Sequence, residues 1–110
     1  MSGESKCVVL TDSNFEQKVI QCEIPVLVFF WASWSGSSYF MTPIIEALAA
    51  EYEERAKIGK LDIDKNPETE TKYAVHSLPT SLFFENGRIV GRMNGTVSKE
   101  EIVERLNALL

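Results

Sequence analysis

A run of small hydroxyls, Ser33-Trp34-Ser35-Gly36-Ser37-Ser38, follows the most apolar stretch of this 110-residue chain and is its first candidate for chemistry. A serine becomes a nucleophile only beside a general base, and the one histidine is His76. A Ser35–His76 pair would suit hydrolysis, but the sequence offers no evident orienting acid or oxyanion hole. A lone histidine is usually a surface residue, so the hydrolase reading is not favoured. Cys7 and Cys22 have no partner at redox or zinc spacing. Each reads first as a small buried hydrophobe, and second as an exposed thiol open to reversible oxidation. Asp62 and Asp64 alternate on one segment, but carboxylates without histidine are weak metal ligands, so solvation at a strand end is preferred. No metal and no cofactor is expected.

Composition narrows the classes. Eleven basic and sixteen acidic side chains leave a formal charge of −5. Without a Lys/Arg cluster the long-range attraction that nucleic acid or an anionic membrane requires is missing, so neither is an expected partner. The apolar and charged fractions, 45% and 25%, are those of an ordinary globular domain. One domain over 1–110 is expected. Met1–Lys6 lacks an apolar core or cleavage site, and Ile24 to Ala32 is too short to span a bilayer, so a soluble, cytoplasmic protein is the default. Asn94-Gly95-Thr96 matches a glycosylation sequon, which matters only on a secreted route.

The elements that must hold the hydroxyl run can be read in order. Val8-Val9-Leu10 suits a short strand, and Ser13-Asn14-Phe15-Glu16 reads as a capping box opening a helix with Phe15, Val19 and Ile20 on one side. Val26 to Ala32 shows no polar alternation, so this strand is expected to be buried on both faces, in the middle of a helix-covered parallel sheet. A long helix follows the run, with Ile44, Ile45, Leu48, Ala49 and Tyr52 on its apolar side, Glu46, Glu51, Glu53, Glu54 and Arg55 free to face water, and a kink expected at Pro43. Ile58 to Ile63 reads as a third strand, and Asn66-Pro67-Glu68 as cap, first-turn proline and first-turn acid of a short helix. Ser81 to Glu85 and Arg88 to Met93 flank Asn86-Gly87, a tight hairpin turn. Ser98-Lys99-Glu100-Glu101 caps a last helix striped by Ile102, Val103, Leu106 and Leu109. The order is βαβαβα followed by ββα: an α/β fold with a five-stranded mixed sheet and helices on both faces. The turn after the most buried strand lies where open α/β sheets place their sites.

Phe30-Trp31-Ala32-Ser33-Trp34-Ser35-Gly36-Ser37-Ser38 with Pro43 beyond it resembles the Trp-Cys-Gly-Pro-Cys signature of the thioredoxin family. Lys60-Leu61-Asp62-Ile63-Asp64 is similar to that family's third strand, Leu78-Pro79-Thr80 to its cis-proline loop, and Asn86-Gly87 and Gly95 fall at its usual glycines. The resemblance covers nearly the whole chain and implies the thioredoxin fold. It places the attacking and resolving cysteines at Ser35 and Ser38, and the intervening proline at Ser37. It implies that Pro79 is cis, with Leu78 offering backbone hydrogen bonds to an extended peptide beside Thr80, a form of strand addition. It also implies a rim position for His76, and a partner surface comprising Trp34, Gly36 and Ser37, with Trp34 exposed and Trp31 partly in the core. Thioredoxin reductase is a possible partner on the same ground.

Two departures sit at the centre of that pattern. Oxygen replaces sulfur at both reactive positions, and the family's buried acid falls on Phe29. A helix N-terminus can bring a thiol of pKa ~8.5 into its working range near 7, but a hydroxyl starts several units higher, and oxygen cannot form a mixed disulfide. The exchange reaction is therefore expected to be absent, while packing is little disturbed and Ser35 can still cap the helix. Lys60 matches the lysine that accompanies the buried acid; with that partner gone, one reading has it simply reach solvent. Two functions compete: a disulfide reductase in a cysteine-to-serine form, whether made by experiment or by lineage loss, and a naturally redox-silent binding or scaffold module. Glutathione binding is weaker, because a second helical domain is lacking.

Overall fold

The computed structural model describes residues 6–110. Residues 1–5, with the start of the expected domain and most of the segment read for a secretory signal, lie outside the described residues. Strands β1 (Val8–Leu10), β2 (Val26–Trp31), β3 (Lys57–Asp62), β4 (Thr80–Glu85) and β5 (Arg88–Asn94) form one sheet in the order β1-β3-β2-β4-β5. β3 runs parallel to both β1 and β2, whereas β4 is antiparallel to β2 and β5. Helices α1 (Gly36–Glu51), α2 (Pro67–Lys72) and α3 (Lys99–Leu109) complete the expected order, with one wide helical turn at Glu16–Ile20.

The unbroken apolar run of β2 is explained by two cores. Leu27 and Phe29 point to a face packed by Met41, Ile45 and Leu48 of α1 and Ile102 and Leu106 of α3. Val26, Val28 and Phe30 point to the opposite face, against Phe15, Val19 and Val75. All five are fully buried, and burying side chains of this kind contributes about 1.5–3 kcal/mol each, which makes β2 the rigid element on which the site is mounted. The Asn86-Gly87 turn has both residues at positive φ (53° and 80°), as a two-residue hairpin requires.

Three local expectations are corrected. The first helical segment is not capped by a Ser13–Glu16 box. Thr11 and Asn14 cap each other instead: the Thr11 N–H donates to Asn14 Oδ1 (2.8 Å) and the Asn14 N–H to Thr11 Oγ1 (3.1 Å). The segment closes with a Gln21 N–H to Glu16 carbonyl bond (3.0 Å), one residue wider than an α-turn, and Phe15 and Val19 are buried. At α2, Asn66 does not cap with its side chain. Asp12, distant in sequence, does so: Oδ1 accepts from the Thr69 N–H (2.9 Å) and Oγ1 (2.7 Å), and Oδ2 from the Glu68 N–H (3.2 Å). Asn66 Oδ1 in turn accepts from the Asp12 N–H (2.8 Å). Burial pushes the Asp12 carboxyl up, but the bonds from Thr69 and Glu68 outweigh it and hold the group below its ordinary value of 3.8. Finally, Glu46 does not face water freely but is half-buried against Lys60. The Ser98–Glu101 capping box is formed as read. No helix among the described residues is long and apolar enough to cross a membrane.

Candidate functional site

β2 ends at Trp31, and the chain turns through Ala32–Ser35 into α1. The Ser35 N–H donates to the Ala32 carbonyl (3.1 Å), which closes the turn. Ser35 is the N-cap, extended at φ −96° and ψ 112°, and its Oγ accepts from the Ser38 N–H (3.2 Å). The first turn of α1 carries no acid, so nothing on it offsets the partial positive charge of the helix end. Gly36 and Ser37 are exposed and Ser35 is half-buried. Ser38 is different. It is 0% exposed, and its Oγ has no hydrogen-bond partner among the described residues. Oxygen at this position is thus not neutral to packing, since a buried hydroxyl without a partner costs about 1–3 kcal/mol. Pro43 lies inside the helix, which continues to Glu51.

The second wall is set by register. Thr80 pairs with Phe30 in the antiparallel β2–β4 ladder, so Pro79 and Leu78 lie at the end of the sheet where β2 hands over to the serine turn. The Leu78–Pro79 peptide is cis. The Thr80 hydroxyl donates to the Ser77 carbonyl (2.6 Å), and the Gly95 N–H to the Pro79 carbonyl (2.7 Å). Pro79 is buried and Leu78 half-buried. Among the described residues no hydrogen bond engages the Leu78 backbone, which leaves its N–H and carbonyl available to an extended strand. His76 is exposed, and no hydrogen bond joins it to Ser35 among the described residues.

Trp34 is 67% exposed, and its indole N–H donates to Asp64 Oδ1 (3.2 Å). Asp62 Oδ1 accepts from the Asp64 N–H (3.0 Å), so these carboxylates brace the loop beside Trp34. No group of three or more acidic, cysteine or histidine residues suited to a metal occurs among the described residues. Trp31 is half-buried and meets Tyr39 edge-on (6.4 Å). Tyr39 and Phe40 are 60% and 70% exposed; the helical periodicity did not single them out, although two aromatics beside the first turn off the apolar face are a legible signal of a surface patch.

Beneath the site, Phe29 is wholly in the core. Lys60 does not run out to solvent: its ammonium pairs with Glu46 Oε2 at 2.7 Å and lies 5.7 Å from the Trp31 ring. A carboxylate on α1 has taken up the lysine. Cys7 and Cys22 are remote from the turn and on opposite faces of the sheet, Cys7 in the core with Phe29 and Cys22 against the core with Phe30. Burial pushes the Cys7 thiol up to about 11, with Glu46 adding to the rise and Lys60 opposing it. Neither cysteine substitutes for a thiol at Ser35 or Ser38.

Comparison with known proteins decides the family. The thioredoxin family model matches residues 6–108. This chain belongs to the thioredoxin family. It is 39% identical to thioredoxin 2 of Chlorobaculum tepidum over 107 residues, which is 97% of this chain and 96% of that protein. It is 39% identical to the thioredoxin of Rickettsia bellii over 98 residues, 89% of this chain and 93% of the relative. The M-type chloroplastic thioredoxin of Pisum sativum is 44% identical over 98 residues, 89% of this chain and 57% of its own length. The thioredoxin fold inferred for the chain is therefore established, and with it the scaffold of a thiol–disulfide oxidoreductase.

Proposed function

We propose that this chain is a thioredoxin-type scaffold whose own dithiol–disulfide exchange is silent, the attacking and resolving positions being Ser35 and Ser38. The parent activity is reduction of protein disulfides. The observation that carries the reading is the asymmetry of the two hydroxyls. Ser35, half-buried at the helix cap, stands where an incoming disulfide can reach it. Ser38 is sealed inside, and its hydroxyl has no partner among the described residues. A thiol suits that inner position better, because sulfur is a weak donor and acceptor that loses little on burial. Oxygen at both places abolishes the mixed disulfide on which exchange depends.

On this reading Leu78, Pro79 and Thr80 form one wall of an extended-peptide groove, Trp34, Gly36 and Ser37 form the other, and His76 lies on the rim. Partners are protein segments, with thioredoxin reductase serving the cysteine-bearing parent, in a single domain over 1–110 and in a soluble, cytoplasmic setting. Insulin reduction tests it. The chain as it stands is expected to give no turnover with reductase and reductant supplied, whereas Ser35→Cys with Ser38→Cys is expected to turn over. Turnover by the unaltered chain, or an inert double variant that is folded, refutes the reading.

A second reading, a naturally redox-silent binding module, draws on a separate observation. Phe29 stands fully buried in the place of the buried acid, and Lys60 has found Glu46 instead. The underside of the site is thereby satisfied without the acid that assists a resolving thiol. The folded but inert double variant is the outcome that favours this reading.

A further inference from the structure

Arg92 lies on β5, in the hairpin arm but at a position given no role in the sequence reading, and reaches across to the loop that carries Pro79. Its Nη1 donates to the Tyr73 carbonyl (3.0 Å) and its Nη2 to the Ala74 carbonyl (2.8 Å). Its Nε donates to Asn94 Oδ1 (3.2 Å), which fixes the plane of the guanidinium. Tyr73 is the C-cap of α2, and Ala74 turns the chain away with φ +53°. Carbonyls at a helix C-terminus lack partners inside the helix, and a cation there also meets the negative end of the dipole. A two-pronged guanidinium satisfies both carbonyls from a strand belonging to a different part of the fold.

From Ala74 the chain runs through Val75, His76 and Ser77 to Leu78. Its far end is tied by Thr80 to Ser77 and by Gly95 to Pro79. Both far-end anchors lie next to Pro79; the near end is held by Arg92. Val75 adds a buried side chain and a bond from its N–H to the Glu70 carbonyl (3.1 Å). The Leu78 backbone is suspended between these anchors with its own polar groups unused among the described residues.

We propose that Arg92 is a positioning residue for peptide binding: its guanidinium clamps the Tyr73 and Ala74 carbonyls and so holds the Leu78 backbone in register for an extended partner strand. The inference rests on the groove described above. Arg92 touches no reacting atom, so its loss changes recognition of a peptide backbone and leaves thiol chemistry alone.

The test uses Ser35→Cys with Cys22→Ser, so that the introduced thiol is the accessible one, and with Ser38 retained so that products accumulate. The probe is a short cysteine peptide activated as its mixed disulfide with nitrothiobenzoate. The introduced thiolate attacks the peptide sulfur, a protein–peptide disulfide forms, and nitrothiobenzoate leaves as a coloured thiolate with the electron pair of the broken bond. The symmetrical nitrothiobenzoate disulfide, which has no peptide backbone, is the control. The Ser35→Cys chain is expected to prefer the peptide probe over the control. Adding Arg92→Ala is expected to lower that preference about tenfold and leave the control rate within about twofold. Arg92→Lys keeps the charge but not the fork, and is expected to lose about threefold, which carries the test should the alanine variant fail to fold. An unchanged preference in the folded alanine variant, or in the lysine variant, overturns the role of Arg92 and leaves the groove standing. A parent with no peptide preference overturns the groove, and this inference with it.

Discussion

Alanine substitution at Ser35 and at Ser38, three residues apart, should change stability in opposite directions. Ser38 Oγ is buried with no hydrogen-bond partner among the described residues, while the Ser38 Cβ contributes to the packing of α1 against the core. Removing the oxygen removes a desolvated polar group of about 1–3 kcal/mol and leaves a cavity smaller than a methylene, which returns less than about 1 kcal/mol of that gain. Ser38→Ala and Ser38→Cys are therefore expected to stabilise by about 1–2 kcal/mol. In a domain of this size each kcal/mol moves Tm by roughly 4 °C, so a rise of about 4–8 °C is expected. Ser35 Oγ, by contrast, satisfies the Ser38 N–H at 3.2 Å. Ser35→Ala removes that cap and is expected to cost about 1 kcal/mol, or roughly 4 °C. Urea and thermal unfolding of the three variants, with unchanged m-values, measure both effects. If Ser38→Ala and Ser38→Cys are neutral or destabilising, the buried hydroxyl is satisfied after all, and the argument that this pocket suits sulfur fails.

Two further outcomes can be checked on the chain as it stands. Asp12→Ala removes the side-chain cap of α2 and is expected to cost about 1 kcal/mol at pH 7. Because the folded carboxyl lies below its ordinary value of 3.8, its contribution is complete above that value and is lost as pH falls through the folded value, so the difference between variant and parent in urea titrations should shrink below about pH 4; a difference that grows on acidification would contradict the cap. Cys7, buried and raised to about 11, is thiolate in only roughly one part in a thousand at pH 8, so alkylation of the native protein should fall on Cys22, with Cys7 labelled only after unfolding. Peptide mapping of the alkylated protein reads this directly, and native labelling of Cys7 would show that its pocket opens.

Much of the fold was legible because its signals are local. The all-apolar β2 announced burial on both faces, Asn86-Gly87 announced a turn with two positive φ values, and Ser98 with Glu101 announced a cap. Each rests on residues within a few positions of one another, where backbone sterics and short hydrogen bonds decide the outcome. The reading failed where a competing partner lay nearby or far away. Thr11 displaced Ser13 as the first cap through its reciprocal bonds with Asn14, and Asp12 displaced Asn66 at α2 from more than fifty residues away. Exposure of Tyr39 and Phe40 in the first turns of α1 followed from how α1 is rotated against the core, which periodicity alone did not resolve.

The amino-acid sequence by itself determined the order of elements, the family pattern and the presence of oxygen at Ser35 and Ser38, since the identity of an atom as oxygen or sulfur needs no fold to be read. Tertiary structure alone decided what that change does. It made Ser35 a working cap and left the Ser38 hydroxyl buried with no partner among the described residues, because one stands half-buried at the helix cap and the other a turn further in, sealed from solvent. It also gave Lys60 to Glu46 and the Tyr73 and Ala74 carbonyls to Arg92. Those partners are chosen by which strands and helices the sheet order sets side by side, a property of the whole chain's packing that no local window contains.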